Sequence, residues 1–173
     1  MAKITLFAAA SLGLMMAGHS AFAGDTVTMN ITGNVVASPC VVNGGTGNID
    51  VDLGNIQATT LAAPSSSSPE VPFDIKLTSC PTGTSGVVAT FAGTSDPVAG
   101  AGYYTNTGTA TNVAVALIQA SSGTLKGNGS TITQSVQADR TVTMSMKAKA
   151  YSSAGGATPG TIKAVVTATF TYQ

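Results

Sequence analysis

Few residues in this chain could carry covalent chemistry. Cys40 and Cys80 are its two cysteines, and the reading of the N-terminus below points to export, so an oxidising compartment makes a disulfide between them the expected state. Two free buried thiols are the competing reading. Closing a loop of about 40 residues is worth roughly 4 kcal/mol in the chain-entropy model. Asp50 and Asp52 sit two apart and share one face of a strand, but an isolated aspartate pair is ordinarily solvated surface and not an acid–base couple. The only histidine, His19, falls within an N-terminal leader, so Ser-His-Asp and Cys-His mechanisms are closed to the mature chain. Zinc would have to use the two cysteines plus carboxylates, a poor donor set. The glycines form no phosphate-binding pattern, and the sequons at Asn30 and Asn128 are common by chance in so Thr/Ser-rich a chain. Tyr103-Tyr104 is either a binding patch or, as such pairs more often are, packing at the start of a strand. No cofactor, metal, small-molecule substrate or enzymatic activity is expected.

The leader spans residues 1–23. Lys3 supplies a positive charge, an apolar run extends from Ile4 to about Ala17, and Ala21-Phe22-Ala23 has the small-x-small form of a secretory cleavage site. A membrane anchor is the alternative, but the run is short for a spanning helix and Gly18, His19 and Ser20 interrupt it. The chain holds seven Lys/Arg, one of them Lys3, against seven Asp/Glu, and charged residues make up 8% of it. Without a basic patch there is nothing to neutralise phosphates, which argues against nucleic acid as a partner.

Alternation of apolar and polar residues is the dominant signal. Val71, Phe73, Ile75 and Leu77 alternate with Pro72, Asp74, Lys76 and Thr78, and further strands are expected at Val87–Phe91, Val113–Ile118, Thr141–Ala150 and Ile162–Tyr172. Turn clusters separate them: Asn43–Gly45, Pro81–Gly86, Gly100–Gly102, Gly127–Gly129 and Gly155-Gly156, with Ser65–Ser68 as a surface loop. Room for a short helical turn remains only near Asn55–Ala62. Short strands with regular turns predict a single all-β sandwich.

Two strands stand out by position. The last presents Ile162, Ala164, Val166, Ala168, Phe170 and Tyr172 on one face. Val165 on the other face suggests that this side is partly covered too. A sandwich of this kind ordinarily needs a further strand to complete its core, and the sequence stops at Gln173. The first strand, Val27–Val35, has an equally apolar face at the mature N-terminus, ahead of Cys40. It is either an ordinary first strand paired in its own sheet, or a strand that fills the groove of another molecule by β-strand addition.

Several segments taken together resemble the subunits of chaperone–usher pili, most closely the small minor subunits of the type 1 fimbrial tip. They are Gly33–Cys40, Leu77–Pro81, Gly102–Ala110, and a C-terminal signature with Gly160 fourteenth from the end and Tyr172 penultimate. The resemblance implies an incomplete immunoglobulin-like β-sandwich lacking its last strand (residues 38–173), preceded by a donor-strand extension (residues 24–37). It further implies that Val27, Met29, Ile31, Gly33 and Val35 are donated, Gly33 at the family's small-residue position. The acceptor groove and chaperone-binding surface would comprise Gly160, Ile162, Ala164, Val166, Ala168, Phe170, Tyr172 and Gln173, the last anchoring the chaperone. Expected partners are a periplasmic pilus chaperone, an outer-membrane usher and neighbouring fimbrial subunits, a tip adhesin among the candidates. The implied route is export through the periplasm to a fimbrium on the cell surface. The implied role is a structural adaptor near the tip, with a major shaft subunit or a carbohydrate-binding adhesin as alternatives.

Overall fold

The computed structural model describes residues 29–33 and 39–173, so the leader, Val27 and Val35 lie outside the described residues. The chain divides into two units, Met1–Asn34 and Val35–Gln173. In the first, residues 29–33 have no regular secondary structure, and Met29 and Ile31 are exposed.

Among the described residues the second unit contains ten strands: β1 (Val41–Val42), β2 (Ser66–Ser67), β3 (Val71–Thr78), β4 (Gly86–Ala92), β5 (Ser95–Asp96), β6 (Gly100–Thr105), β7 (Ala114–Gln119), β8 (Thr131–Ser135), β9 (Val142–Ser152) and β10 (Thr167–Tyr172). Short 3-10 turns occupy Asn43–Gly45 and Ala58–Leu61, the second where a helical turn is expected. One sheet has the order β1-β3-β9-β7-β6-β5, with β2 also pairing to β9, and the other the order β10-β4-β8. Every pairing is antiparallel.

The alternating residues that define the strands also build the core. Ile75 and Leu77 of β3, Val142, Met144 and Met146 of β9, Leu117 of β7 and Tyr104 of β6 meet Val87, Ala89 and Phe91 of β4 and Ile132 of β8. Burying these side chains, each worth roughly 1.5–3 kcal/mol, is the main force holding the sheets face to face. Cys40 and Cys80 are disulfide-bonded inside this core. The Arg140 Nε donates to the Cys80 carbonyl at 2.6 Å, and the Cys80 N–H donates to the Arg140 carbonyl at 3.0 Å, pinning the bridge to the turn before β9.

Two loop assignments need correction, and one strand was not expected. Gly100–Gly102 opens β6 and is not a turn, since Gly100 pairs with Asp96 of β5; at Gly102 the bare backbone leaves room for the Leu125 side chain, whose Cδ1 would sit 3.2 Å from an added Cβ. Ser66–Ser67 pairs with Tyr151–Ser152, and the buried Ser68 hydroxyl accepts from the Ala150 N–H at 3.0 Å, so the serine run is built into the sheet. The strand β8 carries one apolar residue facing the core, Ile132, too weak a pattern to announce itself in the sequence.

Adjacent Tyr103 and Tyr104 go opposite ways, as residues i and i+1 of a strand must. Tyr104 is buried in the core and its hydroxyl donates to the Lys126 carbonyl at 2.9 Å. Burial pushes its phenol up to about 12, from an ordinary value of 10.0. The folded state therefore favours the neutral form. The stability this group carries is complete below pH 10 and is lost as the pH rises toward 12. Tyr104→Phe is expected to cost about 1 kcal/mol at neutral pH and to reduce the fall in stability over that alkaline range, as read by urea unfolding.

Candidate functional site

The strand β10 is the edge of its sheet. It pairs with β4 in the register Ala168↔Phe91, Phe170↔Ala89 and Tyr172↔Val87, and its other side has no strand partner among the described residues. The consequence shows in burial. On β4, flanked by strands on both sides, Val87, Ala89 and Phe91 are 0–1% exposed. On β10 the core-facing Ala168, Phe170 and Tyr172 are only half-buried, as are Ala164 and Val166 before them, although all five pack on the same core. One wall of the core is thus open along β10.

The end of β10 is held firmly. The Gln173 backbone oxygen accepts from the Ser85 N–H at 2.6 Å and the Gly86 N–H at 3.3 Å, while the Gln173 N–H donates to Gly86 at 2.9 Å. Strand pairing begins only at Thr167, five residues later than the alternation suggests. Residues 160–166 instead follow the loop at 106–111. Thr107 and Ala110 N–H groups donate to the carbonyls of Lys163 (2.7 Å) and Thr161 (3.0 Å). Asn106 is the hub of this contact: its Oδ1 accepts from the Gly108 and Lys163 N–H groups at 2.9 and 2.8 Å, and its Nδ2 donates to the Ala110 carbonyl at 2.8 Å. Val165 is 69% exposed on the far side, so that face is not covered as expected.

Gly160 is required by this apposition. A Cβ there would run into the Ala110 N–H group and lie 2.7 Å from the Thr109 carbonyl carbon, backbone that cannot yield without breaking the Asn106 contacts. Gly160→Ala is expected to destabilise the domain by about 1–3 kcal/mol, visible as a lower denaturant midpoint at unchanged slope.

The structure does not bring all the expected acceptor residues together in one cluster. Ala164, Val166, Ala168, Phe170 and Tyr172 border the main core, whereas Ile162 packs on a second cluster formed by Leu61, Ala110, Val113 and Ala150. Leu53 and Ile56 pack on the same cluster. A cavity of about 360 Å³ opens here, lined by Ile56, Leu61, Val113, Gly160 and Ile162. Leu53 and Ile56 belong to a stretch, residues 48–56, that makes no main-chain to main-chain hydrogen bond among the described residues. The apolar character of this stretch is faint in the sequence. Its signal is the alternation Ile49, Val51, Leu53, hidden by the attention that Asp50 and Asp52 attract. Both aspartates are exposed, and the Asp52 Oδ1 accepts from the Gly54 N–H at 2.8 Å, a local turn contact.

What this arrangement offers is an apolar slot with unused main-chain groups along the free side of β10. Of the expected donor residues, Met29 is 77% and Ile31 is 91% exposed, and nothing lies within 4 Å of where a Gly33 side chain would begin.

Comparison with known proteins follows the same line. Residues 29–173 match the family model described as fimbrial protein. The chain is 37% identical over 147 residues to protein FimG of Escherichia coli strain K12, covering 85% of each. It is 42% identical over 155 residues to the S-fimbrial adhesin protein SfaS of Escherichia coli O6:K15:H31, covering 88% of each. Among solved structures, the P pilus rod subunit PapA superposes with a TM-score of 0.66 at 21% identity, over 79% of this chain and 100% of that one, a likeness of fold. The sandwich is therefore the immunoglobulin-like fold of pilus subunits, and a chain matched from Met29 to its last residue belongs to the fimbrial protein family.

Proposed function

We propose that this chain is a structural subunit of a type 1-like fimbria, joined to its neighbours by exchange of a strand. The observation that carries the reading is the half-buried apolar face of β10 beside an unpaired strand edge. A strand laid there would cover Ala164, Val166, Ala168, Phe170 and Tyr172 and bond to the free main chain. Val27, Met29, Ile31, Gly33 and Val35 of this chain would fill the same slot on the next subunit. Burying four such apolar side chains contributes on the order of 10 kcal/mol before the entropy of ordering the tail is subtracted.

In this reading a periplasmic chaperone lends the strand first, with Gln173 at its anchoring end, and an outer-membrane usher exchanges it for a neighbour's N-terminal extension. The finished subunit lies in the fimbrium at the cell surface and acts by assembly, without a catalytic step. Support comes from the fimbrial relatives and from the absence of any histidine beyond His19 in the chain. A synthetic peptide of residues 24–37, offered to acceptor subunits of the same fimbria, should displace the chaperone and raise their unfolding temperature. An isolated mature chain that is a stable monomer and ignores such peptides would refute the proposal.

Within the fibre we place the subunit as a minor adaptor near the tip, on its resemblance to the tip subunits of type 1 fimbriae. Electron microscopy of cells lacking the gene decides this: shortened or missing tips support the adaptor, and loss of the whole shaft assigns the chain to the rod. The 42% identity to a protein named as an adhesin favours one second reading, that the subunit itself contacts a receptor. Specific binding by the purified subunit on a glycan array would establish it.

A further inference from the structure

The outer face of the larger sheet carries an aromatic arrangement with no part in strand exchange. Tyr103 on β6 and Tyr151 on β9 flank β7, in register with its Ala116 and Ala114 respectively. Both alanines are buried, 0% and 3% exposed, and directly opposed residues of an antiparallel pair share a face. The small side chains on β7 form a floor over which the two rings reach toward each other. They stack with centroids 4.3 Å apart and planes inclined by 17°. A Leu or Ile at either alanine would separate them.

The surroundings single this pair out. Both rings are half-exposed, whereas Tyr104 is buried with its hydroxyl bonded to Lys126, and Tyr172 lies on the groove side of β10. The chain has no tryptophan, and its cysteines are bonded to each other. Burial first, and then the neighbouring Tyr151, push the Tyr103 phenol above its ordinary value.

We propose that Tyr103 and Tyr151 form an oxidative cross-linking site, at which a peroxidase-type oxidant consuming hydrogen peroxide joins them into an intrachain dityrosine bridge. Each phenol gives up one electron and its hydroxyl proton, and the resulting phenoxyl radicals couple through ring carbons ortho to oxygen. Each coupled carbon then loses its hydrogen as a proton, and each oxygen regains one, restoring two aromatic rings. The two electrons and two protons released reduce one peroxide to two waters. The new bond braces β6 to β9 across β7. Nothing in this step depends on how the subunit is joined to its neighbours.

To test it, the full chain purified from expressing cells is treated with peroxidase and hydrogen peroxide and then denatured. Material running at monomer mass is digested and its peptides are weighed. The expected product is a peptide pair containing Tyr103 and Tyr151, lighter than its separate parts by two hydrogen atoms and bearing dityrosine fluorescence. Tyr103→Phe and Tyr151→Phe keep a ring in the stack but cannot form the phenoxyl radical, and each should reduce the product to background. Tyr172→Phe should leave its yield unchanged. Dityrosine found only between chains, dityrosine that survives either of the first two substitutions, or none at all would overturn the proposal.

Discussion

Replacing Ile31 by aspartate is expected to leave the chain's own domain folded and to abolish its addition to the next subunit. Ile31 is 91% exposed, so its substitution takes no buried side chain out of the chain. On insertion into a neighbour's groove the same side chain would be buried. The substitution forfeits about 1.5–3 kcal/mol of apolar burial and places an unpaired carboxylate in an apolar slot, at a further cost of several kcal/mol. Together these weaken the joint by at least about 4 kcal/mol, roughly a thousandfold in the binding constant. Thr32→Asp supplies the control, because residues i and i+1 of a strand face opposite ways and Thr32 would point out of the groove. Its effect should stay below about 1 kcal/mol. The measurement is competition between the variant 24–37 peptides for one acceptor subunit. Equal losses from the two variants would mean that the segment does not enter a groove as a strand.

The second large effect concerns the disulfide. Cys40 and Cys80 are 40 residues apart in sequence and 5% and 0% exposed. Reduction is opposed by burial, and removal by mutation frees the unfolded chain of a long closed loop. The double variant Cys40→Ala, Cys80→Ala is expected to lose roughly 4 kcal/mol. For a domain of this size that lowers the unfolding temperature by about 10 °C or more, read by circular dichroism with the groove occupied by a donor peptide in both proteins. Filling the groove in both samples separates loss of the bridge from loss of the complementing strand. An unchanged midpoint would show that the Arg140–Cys80 contacts and the core hold the β3 end unaided.

Legibility in the sequence tracked how local the determining interaction was. Strands whose apolar residues alternate over three or more periods, such as β3 and β9, are readable because one sheet face is core and the other water, which imposes period two. The strand β8 escaped because one buried residue, Ile132, makes no pattern. Residues 162–166 have the alternation of a strand, yet their backbone bonds go to the 106–111 loop, a partner some fifty positions distant whose hold depends on Asn106, Gly108 and Gly160 meeting in space. The serine run has no apolar signal at all, and becomes strand only because β9 offers it an edge.

The same division holds for the groove. Composition, the two cysteines and the alternating faces of Val71–Leu77 and Ile162–Tyr172 were enough to determine an all-β chain with a disulfide and an apolar face on its last strand, since these follow from residue type and short-range period. Which of those faces is left open was decided by tertiary structure. Only the pairing order β10-β4-β8 makes β10 an edge, and only the packing of Ile162, with Leu53 and Ile56, on the Leu61–Val113 cluster separates it from the residues that border the main core. Whether a side chain is buried depends on what the rest of the chain stacks against it, and that depends on contacts between residues far apart in the sequence.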